Sequence, residues 1–131
     1  MTGVDPGLYQ VFVRSYDTAA HGWQWVGWHG GTGQRQWARV IRVRSGANTV
    51  LPDIRLDPPG SITGVVTDAA GAPVRAVNVA VVPYVPHPNY GEHVPMTDDN
   101  GRFTVTGLGP YNWPLQFSGY RIATQWSGGV A

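Results

Sequence analysis

The 131-residue chain contains no cysteine. Disulfides and Cys-based zinc sites are therefore excluded. It contains no lysine either, since its nine basic residues are all arginine. Cross-linking by Lys–Asn isopeptide bonds is excluded with it. Charge is sparse: Asp, Glu, Lys and Arg make up 13% of the chain, about half the usual share of a soluble domain. The net charge of +1 supplies no broad field directed at nucleic acid or an anionic membrane, so neither is an expected partner. No apolar run approaches the roughly 18 residues of a membrane span. The N-terminus lacks a basic segment followed by an apolar one, so an export signal, if the protein has one, is expected outside this segment. No window sustains the i, i+3, i+4, i+7 apolar pattern of a helix.

Turn residues and aromatics are abundant instead: 18 Gly, 11 Pro, six Trp and six Tyr. Between the turns lie short stretches with strand character: Tyr9–Val13, Trp23–Trp28, Ala38–Val43, Val50–Leu56, Ser61–Thr67, Ala76–Val82, Arg102–Thr106 and Trp113–Phe117. Arg39 and Arg42 are expected to point outward. Pro52 marks Val50–Leu56 as an edge strand or a bulge. Alternation places Val77, Val79 and Val81 on one face, Phe103 and Val105 on another, and Trp113, Leu115 and Phe117 on a third. The expected core is Ile62, Val79, Val81, Phe103, Val105 and Leu115. Asp68–Pro73 reads as a turn, Asn100-Gly101 as a hairpin signal, Asp57-Pro-Pro-Gly60 as a stiff linker and Pro83–Pro95 as a long irregular loop.

The chain also matches itself. Gly7-Leu8-Tyr9 recurs as Gly109-Pro110-Tyr111, and Trp28-His29-Gly30-Gly31 recurs as Trp126-Ser127-Gly128-Gly129, in the same order. The spacing is that of one sandwich domain per repeat. Residues 1–57 are then expected to be the C-terminal half of one repeat and 58–131 the N-terminal half of the next.

Gly60-Ser-Ile-Thr-Gly-Val-Val-Thr-Asp-Ala-Ala-Gly-Ala-Pro-Val74 resembles the opening of carboxypeptidase regulatory-like (transthyretin-like, prealbumin-like) domains: a strand, a Gly, a second short strand, then a D-x-x-G-x-P turn. Thr97-Asp-Asp-Asn-Gly-Arg-Phe-Thr-Val-Thr-Gly-Leu108 is similar to the same family's T-D-x-x-G-x-[FY] signature. Gly109-Pro110-Tyr111 stands where that family has its P-G-x-Y turn, with the residue order changed. Gln36–Val43, Ser45–Thr49 and Ile54–Asp57 resemble the closing strands of such a module. The resemblance implies an all-β Greek-key sandwich of about seven strands, without catalytic residues or cofactors, and here possible as a permutation across a repeat boundary. It further implies tandem use in secreted bacterial proteins.

No motif for chemistry stands beside this. There is no G-x-S-x-G nucleophile turn, and Gly30-Gly31-Thr32-Gly33 is not followed by the Lys of a phosphate loop. His21, His29, His87 and His93 lack helical zinc spacing, and Asp98, Asp99 and Asn100 are too few for a calcium loop. No enzyme, cofactor or metal is expected. The first expectation is an extracellular or cell-surface structural or adhesive module that pairs with adjacent repeats or neighbouring copies. Its halves complement each other within the chain, or strands are donated between copies into a filament. The second is carbohydrate binding, with polysaccharide as the partner and Trp23, Trp25, Trp28, Trp37 and Trp126 as stacking candidates. Rings packed inside favour the first; a line of three solvent-facing rings favours the second.

Overall fold

The computed structural model describes residues 3–17, 19–81, 95–119 and 122–127. These are strands and turns, with one short 3-10 turn at Arg35–Trp37. The strands are β1 (Gly7–Tyr9), β2 (Phe12–Val13), β3 (Gln24–Val26), β4 (Gly31–Thr32), β5 (Ile41–Val43), β6 (Gly60–Val65), β7 (Asn78–Val81), β8 (Arg102–Leu108), β9 (Leu115–Gly119) and β10 (Ile122–Trp126). The protein is all-β, as its alternating patterns require. Most of the loop expected at Pro83–Pro95 lies outside the described residues, and His87 and His93 lie there too. The Gly128-Gly129 end of the self-match is likewise outside them.

The chain forms two compact units. Unit 1 is Met1–Gly60 together with Gly107–Asn112, and unit 2 is Ser61–Thr106 with Trp113–Ala131.

In unit 2, β9 lies between β7 and β10, antiparallel to both. The second layer is the β6–β8 pair. Val77 and Val79 are fully buried, and Val81, Phe103, Val105, Trp113 and Leu115 are buried around them. Phe103 meets Phe117 edge-on at 5.5 Å, so rings from the two layers interlock as in a sandwich core. Ile62, expected in the core, is half-buried. Among the described residues its strand β6 pairs with β8 alone, so it lies at the margin of the packing.

The turns of unit 2 come from one repeated device. Asp68 Oδ1 accepts hydrogen bonds from the N–H groups of Ala70 and Ala72, both at 2.9 Å. Asp98 Oδ1 accepts from Asn100 at 2.8 Å and Arg102 at 2.9 Å. Each turn closes on a glycine in the left-handed region, Gly71 at φ 84° and Gly101 at φ 70°, where a Cβ is strained. Asn100 is not in that region, so the Asn-Gly pair does not form the two-residue type I′ turn that needs positive φ at both positions. The Asp side chain organises the turn instead.

In unit 1, β1 pairs antiparallel with β5, and β3 lies between β2 and β4. The stretch Tyr9–Val13, which reads as one strand, is broken at Gln10 and Val11: β1 serves one sheet and β2 the other. Gln10 fills the break, its Nε2 donating to the carbonyls of Arg35 at 3.0 Å and Ala38 at 3.2 Å. Val50–Leu56, expected as an edge strand or a bulge, joins no ladder among the described residues; Pro52 within it lacks the N–H that a ladder needs. Arg42 is exposed, as alternation predicts, whereas Arg39 is half-buried.

Candidate functional site

The five tryptophans singled out for stacking fall into different environments. Trp25 on β3 is 9% exposed and packs on Phe12 at 5.0 Å, leaving its ring no open face. Trp23 is half-buried; it meets Phe12 edge-on at 6.2 Å, and its indole N–H donates to the Ser15 carbonyl at 3.4 Å. Trp126, on β10 in unit 2, is half-buried and lines a groove of mixed polarity with Val65, Phe117, Ile122 and Gln125. Trp28 and Trp37, both in unit 1, are each 63% exposed.

Trp28 is the less open of these two, because the Arg39 guanidinium lies 5.1 Å from its ring centre, within cation–π range. It borders a small cavity of about 100 Å³ whose polar side chains include Arg39, Asp53 and Arg55. Trp37 ends the 3-10 turn and borders a larger open cleft of about 440 Å³. Thr32 and Gln34 come to that cleft from the β4 end, and Pro110, Tyr111 and Asn112 from the segment after β8.

That segment is held by backbone pairing. Trp23 N–H donates to Gly107 O at 2.8 Å, and Gly109 N–H donates to Trp23 O at 2.9 Å. Tyr111 anchors it further in. Its hydroxyl lies 2.5 Å from Asp57 Oδ2 and 2.9 Å from Gln24 Oε1. The single phenol proton goes to the carboxylate, the stronger acceptor. Gln24 is itself fixed, its Nε2 donating to the Arg55 carbonyl at 3.0 Å. Burial, then the hydrogen bond to Asp57 and its charge, push the Tyr111 phenol well above the ordinary tyrosine range.

Tyr111 was visible in the sequence as half of a repeated Gly-x-Tyr motif. Thr32, Gln34 and Asn112 carried no signal, because turn polarity is their ordinary role. Among the described residues no group of three or more His, Asp or Glu is placed to hold a metal ion, and no helix is long and apolar enough to cross a membrane.

Paired small sheets, buried valines with Phe103 among them, and turns built on Asp and Gly define the class of β-sandwich modules. The family model of the carboxypeptidase regulatory-like domain matches residues 61–131, more than half of the chain, and the chain belongs to that family. This is a family of non-catalytic β-sandwich modules. No curated protein and no solved structure matches the chain.

Proposed function

We propose that the protein is an extracellular structural module of a repeat protein, in which halves of successive repeats complete each other by β-strand complementation. One observation carries this reading. Gly107–Asn112, from the later half of the sequence, belongs to the same compact unit as residues 1–60. It is joined there through the backbone of Trp23 and the side chain of Tyr111. Unpaired buried backbone groups are costly, and this exchange removes several at once. The self-match supports the repeat: in each copy the Gly-x-Tyr motif precedes an antiparallel pair, β2–β3 in one and β9–β10 in the other. Scarce charge and dense Gly and Pro turns suit a scaffold rather than a reactive surface. Light scattering with denaturant melts tests the reading. A monomer with one cooperative transition is expected; freely exchanging amide protons throughout residues 1–57 beside protected ones in 61–131 would refute it.

Trp28 and Trp37 fall one short of a line of three exposed rings, but the exposure of two in one unit still supports a second role on the same scaffold, carbohydrate binding. A large aromatic left in water costs hydrophobic free energy, and two in one unit make a surface for the apolar faces of sugars. Retention on immobilised polysaccharides, compared with a variant lacking both rings, tests this role.

A further inference from the structure

We propose that the cleft beside Trp37 is a binding site for a neutral saccharide. The proposal rests on the carbohydrate-binding reading and narrows it to one place and one ligand chemistry.

Three observations single out this cleft. Its volume of about 440 Å³ lies within the roughly 300–1,000 Å³ of small-ligand sites, whereas the cavity beside Trp28, about 100 Å³, falls below it. The Trp37 ring is 63% exposed and makes no aromatic or cation contact among the described residues, so an indole face is available. The ring also stands on a fixed base. Trp37 N–H donates to Gln34 O at 3.1 Å and Ala38 N–H to Arg35 O at 2.9 Å, while Gln10 ties down the carbonyls on both sides of Trp37. A platform held this way gives up little freedom on binding.

The lining chemistry selects the ligand. The polar side chains facing the cleft are those of Thr32, Gln34, Tyr111 and Asn112, and none carries a charge at neutral pH. Hydroxyls and amides both donate and accept, as sugar hydroxyls do. Free capacity is present. Asn112 makes no hydrogen bond among the described residues. Gln34 Oε1 accepts from Gln36 at 2.9 Å, which leaves its amide N–H groups as donors. Thr32 Oγ1 accepts from the Gln34 N–H at 3.2 Å, which leaves its proton to donate. An ionic ligand would give up water here without gaining an opposite charge, which is unfavourable. An uncharged pyranose laid on Trp37 loses only hydroxyl hydration that the amides replace.

Calorimetric titration of the whole chain with cellohexaose, laminarihexaose and mannohexaose, and with hexagalacturonate as the charged comparison, tests the proposal. At least one neutral hexasaccharide is expected to bind, with an affinity insensitive to salt. Trp37→Ala should weaken it about tenfold or more, Asn112→Ala by a smaller factor, and Trp37→Phe should recover part of the loss by keeping an aromatic face. Tyr16→Ala, which removes an exposed ring outside the cleft, should leave it unchanged. Should Trp37→Ala fail to fold, Asn112→Ala and Trp37→Phe decide. Binding that survives Trp37→Ala and disappears in Trp28→Ala overturns the site while leaving carbohydrate binding intact. Binding of hexagalacturonate alone overturns the ligand class, and no binding of any neutral hexasaccharide overturns both readings.

Discussion

The hydroxyl of Thr97, 5% exposed, donates to the Val74 carbonyl at 2.7 Å and accepts from the Val77 N–H at 2.9 Å. Between those groups lies Ala76, at φ 58° the one non-glycine residue in the left-handed region among those described. Thr97 thus pins the kink that leads into β7, which gives the threonine of the T-D-x-x-G signature a physical task. Thr97→Val keeps the shape but strands a donor and an acceptor, and should cost about 1–3 kcal/mol in urea melts; Thr97→Ser should retain most of the stability. Tyr111 sets a pH dependence. Its folded-state pKa lies above the unfolded value, so its contribution is complete below the ordinary tyrosine value of about 10. It is lost as pH rises from there through the folded value, because the unfolded chain releases the proton first. Urea melts taken between about pH 9 and 11 should show stability falling with pH, and falling less steeply in Tyr111→Phe.

Elements with strong alternation were legible from the sequence, and their faces with them: Val77, Val79 and Val81, then Phe103 and Val105, then Trp113 and Leu115 are buried, while Phe117 on that third face is only half-buried. Phe103 packs tightly, since a Cβ on Gly64 of the neighbouring strand would collide with its ring and Phe117 of the other layer meets it edge-on. Phe103→Ala should therefore cost about 3–5 kcal/mol, and Ile62→Ala distinctly less, both read from denaturant midpoints at unchanged slope. What escaped the sequence reading lacks local pattern. β4 is two residues long, and β10 reads Ile-Ala-Thr-Gln-Trp, so neither alternates visibly. The split of Tyr9–Val13 depends on Gln10 bonding to carbonyls 25 and 28 residues away. The Trp37 cleft was illegible for the same reason. The aromatic content made Trp37 a candidate, but only the fold brings Gln34 and Asn112 to the same opening.

For the whole molecule, the consequential feature is that the segment completing unit 1 lies far along the chain from most of that unit. Its seat leaves no room for a side chain: a Cβ on Gly109 would press on the Trp23 carbonyl oxygen and the Tyr111 ring, and a Cβ on Gly22 would press on the Gly109 backbone. A bulkier residue at 109 must push the segment off Trp23, breaking the two backbone hydrogen bonds there and unseating Tyr111 from Asp57. Each lost hydrogen bond is worth about 0.5–1.5 kcal/mol net, and more when a buried partner is stranded. Gly109→Val should therefore destabilise by at least about 2 kcal/mol. The readout also separates the two modes of complementation. If the segment completes unit 1 within its own chain, the wild type is a monomer at every concentration in light scattering, and Gly109→Val is a less stable monomer or an aggregate. If the segment is instead exchanged between copies, head-to-tail pairing does not close by necessity and produces rings or open filaments. The wild type then grows in mass with concentration and Gly109→Val dissociates it. A segment tethered to its own unit meets it at a high effective concentration, so the monomer is the expected outcome.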